Sequence, residues 1–187
     1  MGESPDDERL RAPDRMLTIT QRQQHAELGI PSDYGADGLP PYCPEATELV
    51  EVGPNLVGRM QSLTPDAASG WAGMVSAARE DGVTLLIVSG FRAFDYQAKL
   101  VRQKLDAGQL IEDILKVNAA PGFSEHHTGR AVDVATPGSR PLTEEFEDSA
   151  AFAWLQDRAG AFGFRMSYPR GNDEGFIYEP WHWALKA

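Results

Sequence analysis

The sequence predicts an α+β domain in which helices pack on a small, mainly antiparallel sheet. Helical hydrophobic patterns come first along the regular part of the chain, whereas most strand-like segments come late. The loops between these segments are too short for repeated parallel crossovers, which favours antiparallel pairing. The 187 residues are enough for one domain with a full hydrophobic core. We therefore predict a disordered tail at residues 1–15, an extended arm at 16–53 and one domain at 54–187.

The first 53 residues lack a continuous hydrophobic pattern. Residues 1–15 are charged and poor in apolar side chains, which predicts disorder. Residues 17–54 are rich in glycine and proline, which predicts an extended arm that lies over the domain. Within this arm we expect a short helix around residues 21–28.

The first helix of the domain has a strong start signal. Thr64-Pro65-Asp66 supplies an N-cap, a proline at the first helical position and an acid in the first turn. An apolar stripe follows at helical spacing and consists of Trp71, Met74, Val75 and Ala78. Asp81-Gly82 ends this helix, and the nearly continuous apolar run at residues 83–88 then predicts a buried strand.

The remaining elements are predicted from similar signals. Further helices are expected from Phe94 to a stop at Gly108, at residues 110–116, and from an N-cap at Ser149 to a stop at Gly163. Further strands are expected at residues 130–135, 164–168 and 176–183. Because most of these strands follow the first helices, they support the α+β prediction.

Charge and composition exclude several classes of function. The chain has 17 basic and 28 acidic residues and a formal net charge of −11, so it gains nothing electrostatically from a phosphate backbone. We therefore expect no nucleic-acid partner. No apolar run reaches membrane-spanning length. The single cysteine, Cys43, excludes an internal disulfide and a cysteine-based zinc site.

The start of the chain bears on location. Its first residues contain neither the basic segment nor the apolar segment of a secretory signal. A cytoplasmic location is expected if this N-terminus is complete, and a periplasmic or extracellular location if a leader has been removed. The sequence carries no signal for an oligomeric state.

Three of the four histidines lie in two short clusters, at residues 124–133 and 179–183. Together the clusters contain two separated histidines, an aspartate and a nearby glutamate. A one-zinc hydrolase needs such a set: three ligands, an open position for water and a carboxylate that moves a proton. Each cluster alone is also compatible with a purely structural role.

In the first cluster, Gly129 permits a turn between His126 and the strand that carries Asp133. The adjacent His126 and His127 cannot both point at one metal from an extended chain, so only one of them is expected to be a ligand. Asp133 shares a strand face with two alanines and lies opposite two valines, which indicates a carboxylate directed into a site. A surface ion pair with a nearby arginine is the alternative for Asp133.

The second cluster and an upstream segment add further candidates. Pro180 cannot donate a ladder hydrogen bond, so the last strand is expected at a sheet edge or bulged, which would bring Glu179 and His182 to one site. Ser89-Gly90-Phe91-Arg92 follows the buried strand, and strand ends are where functional side chains collect. Arg92 can bind a carboxylate in a bidentate manner, although a surface ion pair or a helix-terminus contact is the better explanation when it is considered alone.

Together, the three segments resemble the zinc D-alanyl-D-alanine carboxypeptidases of VanY type. The matching positions are Ser124-x-His126-x-x-Gly129-x-Ala131-x-Asp133, then Glu179-x-x-His182, with Ser89-Gly90-Phe91-Arg92 upstream. The wider group includes D-Ala-D-Ala dipeptidases, L,D-carboxypeptidases and phage endolysin peptidases. The similarity runs from about residue 63 to residue 183, and it implies that residues 54–187 have the LAS/hedgehog-like zinc peptidase fold.

The resemblance implies a role for each matching position. The zinc ligands would be His126, Asp133 and His182. Glu179 would be the general base and acid. Arg92 would bind the carboxylate of the substrate or polarise its carbonyl, and Gln97 and Ser124 would help to hold the terminal residue.

The implied activity is removal of the terminal D-alanine from a peptidoglycan-derived peptide, as a D,D-carboxypeptidase. An L,D-carboxypeptidase and a peptidoglycan endopeptidase are the enzymatic alternatives. A catalytically silent cell-wall-binding module is the alternative outside the enzymes. The implied cofactor is Zn2+, and the implied partner is a peptidoglycan peptide.

Overall fold

The computed structural model describes residues 16–186, and the predicted tail at residues 1–15 lies outside the described residues. The α-helices are α1 (Ile19–Glu27), α2 (Pro65–Glu80), α3 (Phe94–Asp106), α4 (Ile111–Val117) and α5 (Ala150–Arg158). The strands are β1 (Val50–Pro54), β2 (Met60–Leu63), β3 (Leu86–Ser89), β4 (Ala131–Ala135), β5 (Phe164–Met166) and β6 (His182–Leu185). Short 3-10 segments span Glu125–Thr128, Glu144–Asp148 and Ala159–Phe162.

The strands form two antiparallel sheets, which confirms the predicted α+β class. β1 and β2 form a hairpin, and the larger sheet has the order β3-β4-β6-β5. The predicted domain boundary at residue 54 falls within this hairpin. In the larger sheet, Asp133 of β4 lies opposite Ser89 of β3 on one side and opposite His182 of β6 on the other. Residues from three separate segments therefore meet on neighbouring strands.

Three predicted strands are shorter in the structure by two residues or more. The strand expected at residues 164–168 is β5, which ends at Met166. The apolar run at residues 83–88 contributes only its last residues to β3, which begins at Leu86. The last strand begins at His182 rather than near residue 176. Pro180 therefore precedes β6, and β6 lies inside the sheet between β4 and β5. The expectation of an edge or bulged strand at Pro180 is wrong. Pro180 lies in the loop before β6, so its missing N–H interrupts no hydrogen bond of the ladder.

Alternation along β4 separates the core from the opposite face of the sheet. Val132 and Val134 are fully buried in the main core with residues of α2 and α5. The predicted stripe of α2 supplies buried Trp71 and Met74 to this core. Asp133, between the two valines, points to the other face, as the alternation of strand side chains requires.

The arm packs on a second hydrophobic cluster beside the sheet. This cluster joins arm residues to α3, α4 and the loop before β4, and its buried members are Leu17, Leu28, Ile30, Phe94, Val101, Ile114, Ala119, Ala120 and Phe123. The backbone N–H groups of Cys43 and Ala46 donate to the carbonyls of Gly122 and His127 at 2.7 and 2.8 Å. The arm thus contacts the loop that carries the first histidine cluster.

The helix predicted within the arm is present as α1. Thr18 is its N-cap and Gln21 completes a capping box, in which each side chain accepts from the backbone of the other residue. Among the helices of residues 16–186, none combines the length and the apolar character that a membrane crossing requires.

Candidate metal and catalytic site

Three buried side chains converge where β4 and β6 pair. The distance from His182 Nδ1 to Asp133 Oδ1 is 3.0 Å, and the distance from His126 Nε2 to Asp133 Oδ2 is 3.2 Å. One ligand atom from each of His126, Asp133 and His182 lies within 4.8 Å of the others. Two imidazoles and a carboxylate in this arrangement are a typical donor set for a zinc ion with an open position.

A glycine turn brings His126 to this site. His126 lies in the 3-10 segment Glu125–Thr128, which ends at Gly129 with a positive φ of 65°. The chain then reverses into β4, so His126 and Asp133 face each other although they are seven residues apart in sequence. The turn expected at Gly129 is therefore confirmed.

The hydrogen bonds of His126 leave one ring nitrogen available to a metal. Its Nδ1 lies 2.7 Å from the carbonyl oxygen of Gly90, which can only accept, so Nδ1 carries the proton. Nε2 is then unprotonated and buried, and it has no hydrogen-bond partner among the residues that the structure describes. Burial, with the positive charge of Arg92, lowers the pKa of His126 to about 4. A neutral imidazole with a free, buried lone pair fits a metal ligand.

The second histidine, His182, faces the site with Nδ1, whereas His126 faces it with Nε2. His182 Nε2 lies 2.8 Å from Glu125 Oε2, and Nδ1 faces Asp133. Burial alone would lower the pKa of His182, but the carboxylates of Glu125 and Asp133 together raise it to about 10. A cation at the three donor atoms would therefore compete with a proton at Nδ1.

The neighbouring His127 has no free nitrogen. Its Nδ1 lies 2.5 Å from the carbonyl oxygen of Arg92, and its Nε2 accepts from the backbone N–H of Gly122 at 2.9 Å. Both ring nitrogens are therefore used in joining two backbone segments. Of the adjacent histidine pair, His126 faces the cluster and His127 holds the loops behind it.

Glu179 lies beside the three donor side chains. It is 8% exposed, and its Oε2 is 3.9 Å from His182 Nδ1, on the ring edge that faces Asp133. Burial raises the pKa of the Glu179 carboxyl to about 7, with Asp133 and Glu125 adding to the shift and His182 and Arg92 opposing it. A carboxyl with these properties can exchange a proton near neutral pH.

The backbone of Arg92 is joined to the histidine pair from both sides. Its N–H donates to the carbonyl of His126 at 3.1 Å, and its own carbonyl accepts from His127. The guanidinium is close enough for its charge to act on both His126 and Glu179. Within residues 16–186, the buried Nε of Arg92 has no hydrogen-bond partner, so this N–H can donate to an incoming oxygen.

The other two predicted site residues are Gln97 and Ser124, which lie on the helix and the loop next to the histidine pair. Gln97 is fully buried, and its Nε2 donates to the carbonyl of Ala119 at 2.8 Å, whereas its Oε1 has no hydrogen-bond partner in the described residues. Ser124 is 4% exposed and immediately precedes the segment that carries His126. Gln97 thus anchors α3 to the loop before Ser124, and a role in holding substrate stays a prediction for both.

The sequence interpretation gave no role to Glu125 or to the carbonyl of Gly90. Glu125 hydrogen-bonds to His182, which is distant in sequence, so only the fold reveals the contact. For Gly90 a signal existed, because a glycine at the end of a buried strand often permits close backbone approach. A Cβ at Gly90 would lie 2.7 Å from the carbonyl oxygen of Ser62.

We expect Gly90→Ala to destabilise the protein by about 1–3 kcal/mol, because the added methyl group must push β2 away from β3. Urea denaturation of the metal-free protein measures this change. Gly160→Ala is the matched control, since a Cβ at Gly160 meets no atom within 4 Å. Equal free energies of unfolding for the two variants would contradict this prediction and would mean that β2 moves aside for the methyl group with no loss of stability.

Comparison with known proteins identifies related sequences. A family model described as VanY, D-alanyl-D-alanine carboxypeptidase, matches residues 60–186. YodJ of Bacillus subtilis (strain 168), assigned as a carboxypeptidase, is 34% identical over 121 residues, which make up 63% of this chain and 44% of YodJ. The chain therefore spans less than half the length of this relative.

Solved structures of similar fold include two kinds of carboxypeptidase. The LdcB LD-carboxypeptidase is 31% identical with a TM-score of 0.67, and the match covers 75% of this chain and 69% of that one. A mutant of the vancomycin-resistance D,D-pentapeptidase VanY, in complex with Zn(II), is 25% identical with a TM-score of 0.60. This second match covers 78% of this chain and 83% of that one.

Proposed function

Because the chain belongs to the VanY family of D-alanyl-D-alanine carboxypeptidases, we propose that it is a zinc-dependent carboxypeptidase. Its substrate would be a peptidoglycan peptide, from which it would release the terminal D-alanine. The observation that carries the proposal is the buried donor set, in which His126 Nε2 has a free lone pair beside Asp133 and His182. A buried nitrogen without a partner is costly unless a ligand binds to it.

In this proposal, His126 would bind zinc through Nε2, His182 through Nδ1 and Asp133 through its carboxylate. Bound zinc would supply a water of lowered pKa and would polarise the scissile carbonyl. The protein fixes which nitrogen His126 offers, because its other ring nitrogen donates to the carbonyl of Gly90. The relative that is solved with Zn(II) supports the same choice of metal.

Glu179 would move the proton. Its position on the Nδ1 side of His182 places its carboxylate beside the three donor side chains, where it would reach a water bound at the site. The carboxylate would accept a proton as this water attacks the carbonyl carbon, and would return the proton to the leaving amine nitrogen. A dication at the neighbouring ligands favours the ionised form of Glu179, which is the form that acts as a base.

Arg92 would recognise the substrate. Its guanidinium can bind the terminal carboxylate in a bidentate manner or stabilise negative charge on the scissile oxygen. If it binds the carboxylate, an internal peptide bond would leave Arg92 unpaired, which favours cleavage at the chain end. Ser124 and Gln97, on the adjoining loop and helix, would help to hold the terminal residue.

The experiment is product analysis on a set of defined muropeptides, with zinc content measured on the same preparation. The set contains a pentapeptide ending in D-Ala-D-Ala, a tetrapeptide ending in an L,D bond and a cross-linked dimer. We expect one zinc per chain and release of free D-alanine from the pentapeptide. Release only from the tetrapeptide would support an L,D-carboxypeptidase, and cleavage only of the dimer an endopeptidase.

A non-enzymatic role predicts a different result in the same assay. A cell-wall-binding module would bind the muropeptides and release no product at any zinc concentration. That outcome, or a protein that neither contains nor responds to zinc, would refute the proposed function.

A further inference from the structure

We propose that Glu125 is a positioning residue that orients His182 and fixes its tautomer, so that Nδ1 faces the metal. This inference rests on the proposed zinc site and adds a residue to it. Glu125 immediately precedes His126 in the 3-10 segment Glu125–Thr128. One short turn would thus supply one ligand directly and hold a second ligand through a hydrogen bond.

The contact between Glu125 and His182 is short and shielded from water. Oε2 of Glu125 lies 2.8 Å from Nε2 of His182, and the two side chains are 19% and 3% exposed. A carboxylate only accepts hydrogen bonds, so Nε2 carries the proton in this pair. Nδ1 lies 3.0 Å from Asp133 Oδ1, and a bound cation would replace the proton there and meet the lone pair of the neutral ring.

Each of the two histidines has one ring nitrogen hydrogen-bonded to an oxygen acceptor, which leaves the other nitrogen for the metal. The carbonyl of Gly90 accepts from Nδ1 of His126 and frees its Nε2. The carboxylate of Glu125 accepts from Nε2 of His182 and frees its Nδ1. A charged acceptor also increases the basicity of the ring, which strengthens its bond to a metal. His182 therefore gains more from its partner than His126 does from a neutral carbonyl.

The position of Glu125 excludes a direct role at the metal. The two nitrogens of an imidazole ring point away from each other, and Glu125 is on the Nε2 side of His182. Glu179 is on the Nδ1 side, where its Oε2 lies 3.9 Å from that nitrogen. Glu179 can therefore reach the reacting atoms, whereas Glu125 acts through His182.

The test compares zinc affinity in Glu125→Ala and Glu125→Gln with that of the unchanged protein, using competition with a chelator of known affinity. Glu125→Ala removes the acceptor and its charge, and we expect zinc to bind about 10–100-fold more weakly. Glu125→Gln keeps an oxygen acceptor without the charge, and we expect a smaller loss. Glu174→Gln is the control. The charge of Glu174 also acts on His182, but the hydrogen bond to His182 comes from Glu125, so this variant removes a charge and keeps the hydrogen bond.

A second readout follows the tautomer itself. In the cobalt(II)-loaded protein, the N–H protons of metal-bound histidines give shifted proton resonances. We expect the His182 resonance to broaden by exchange with water in Glu125→Ala, while the His126 resonance, protected by Gly90, stays sharp. A merely structural salt bridge would affect folding without this selective exchange.

The outcomes separate this inference from the proposed function. If the unchanged protein binds no zinc, the proposed site itself fails. If it binds zinc and both Glu125 variants bind it equally well, or if both histidine resonances stay sharp, the positioning role is wrong. Should Glu125→Ala fail to fold by circular dichroism, the isosteric Glu125→Gln decides by its zinc affinity.

Discussion

Replacement of Glu179 by glutamine is expected to lower kcat by about 10²–10⁴-fold, the usual contribution of a positioned acid–base residue. The amide has nearly the shape of the carboxylate, but it cannot accept the proton of the attacking water. The donor set of His126, Asp133 and His182 stays intact, so the variant is expected to retain one zinc per chain. The measurement combines the rate of D-alanine release with metal analysis of the same sample.

Glu112→Gln is the matched control for this prediction. Glu112 is an exposed acid in the first turn of α4, and we expect its replacement to leave kcat unchanged. A Glu179→Gln variant that contains zinc and retains more than a tenth of the original kcat would remove Glu179 from the mechanism. A variant that has lost its zinc would assign Glu179 to metal binding instead.

Replacement of Arg92 by alanine is expected to lower kcat/KM by about 10²–10³-fold. The variant lacks a hydrogen-bond donor to negative charge, either on the scissile oxygen in the transition state or on the terminal carboxylate of the substrate. In the described part of the chain, no group pairs with the buried Nε of Arg92, so this N–H is available to hydrogen-bond to the substrate. The backbone of Arg92 bonds to His126 and His127 through main-chain atoms. The alanine variant therefore keeps these main-chain hydrogen bonds and removes the guanidinium together with the aliphatic stem beyond Cβ.

A pair of substrates distinguishes the two roles of Arg92. One peptide has a free C-terminal carboxylate and the other a C-terminal amide. If Arg92 binds the carboxylate, the unchanged enzyme prefers the acid and Arg92→Ala loses that preference. If it stabilises the scissile oxygen, both substrates slow equally. Lys99→Ala, which removes an exposed cation from α3, the helix that follows Arg92, is the control, and equal activity of both variants would contradict either role.

The order of three short motifs was sufficient to predict the family and the α+β fold. Thr64-Pro65-Asp66 and the apolar stripe after it located α2 correctly, since helix start signals and periodicity are local properties of the sequence. Gly129 predicted the turn before β4 for the same reason. The choice of His126 over His127 came from the resemblance, and hydrogen bonds that only the fold displays give it a physical basis.

Features that depend on long-range pairing could not be predicted. The contact between Glu125 and His182 joins residues 57 apart in sequence and arises from the register of β4 against β6. The start of β6 at His182 was also missed, because the backbone hydrogen bonds before it go to separate partners. The N–H groups of Ile177 and Glu179 donate to Lys116 and Tyr168, and only the carbonyl of Trp181 accepts from β4. Sequence periodicity reports burial, whereas strand ends depend on which backbone groups find partners.

The central claim is that His126, Asp133 and His182 hold one zinc ion on which hydrolysis depends. The most direct measurement is stepwise return of zinc to chelator-treated protein while D-alanine release is followed. We expect activity to be absent without metal, to rise linearly with added zinc and to reach a plateau at one equivalent. The same titration of His126→Ala should give no plateau at one equivalent. Full activity in the metal-free protein, or an unchanged titration in His126→Ala, would contradict the account.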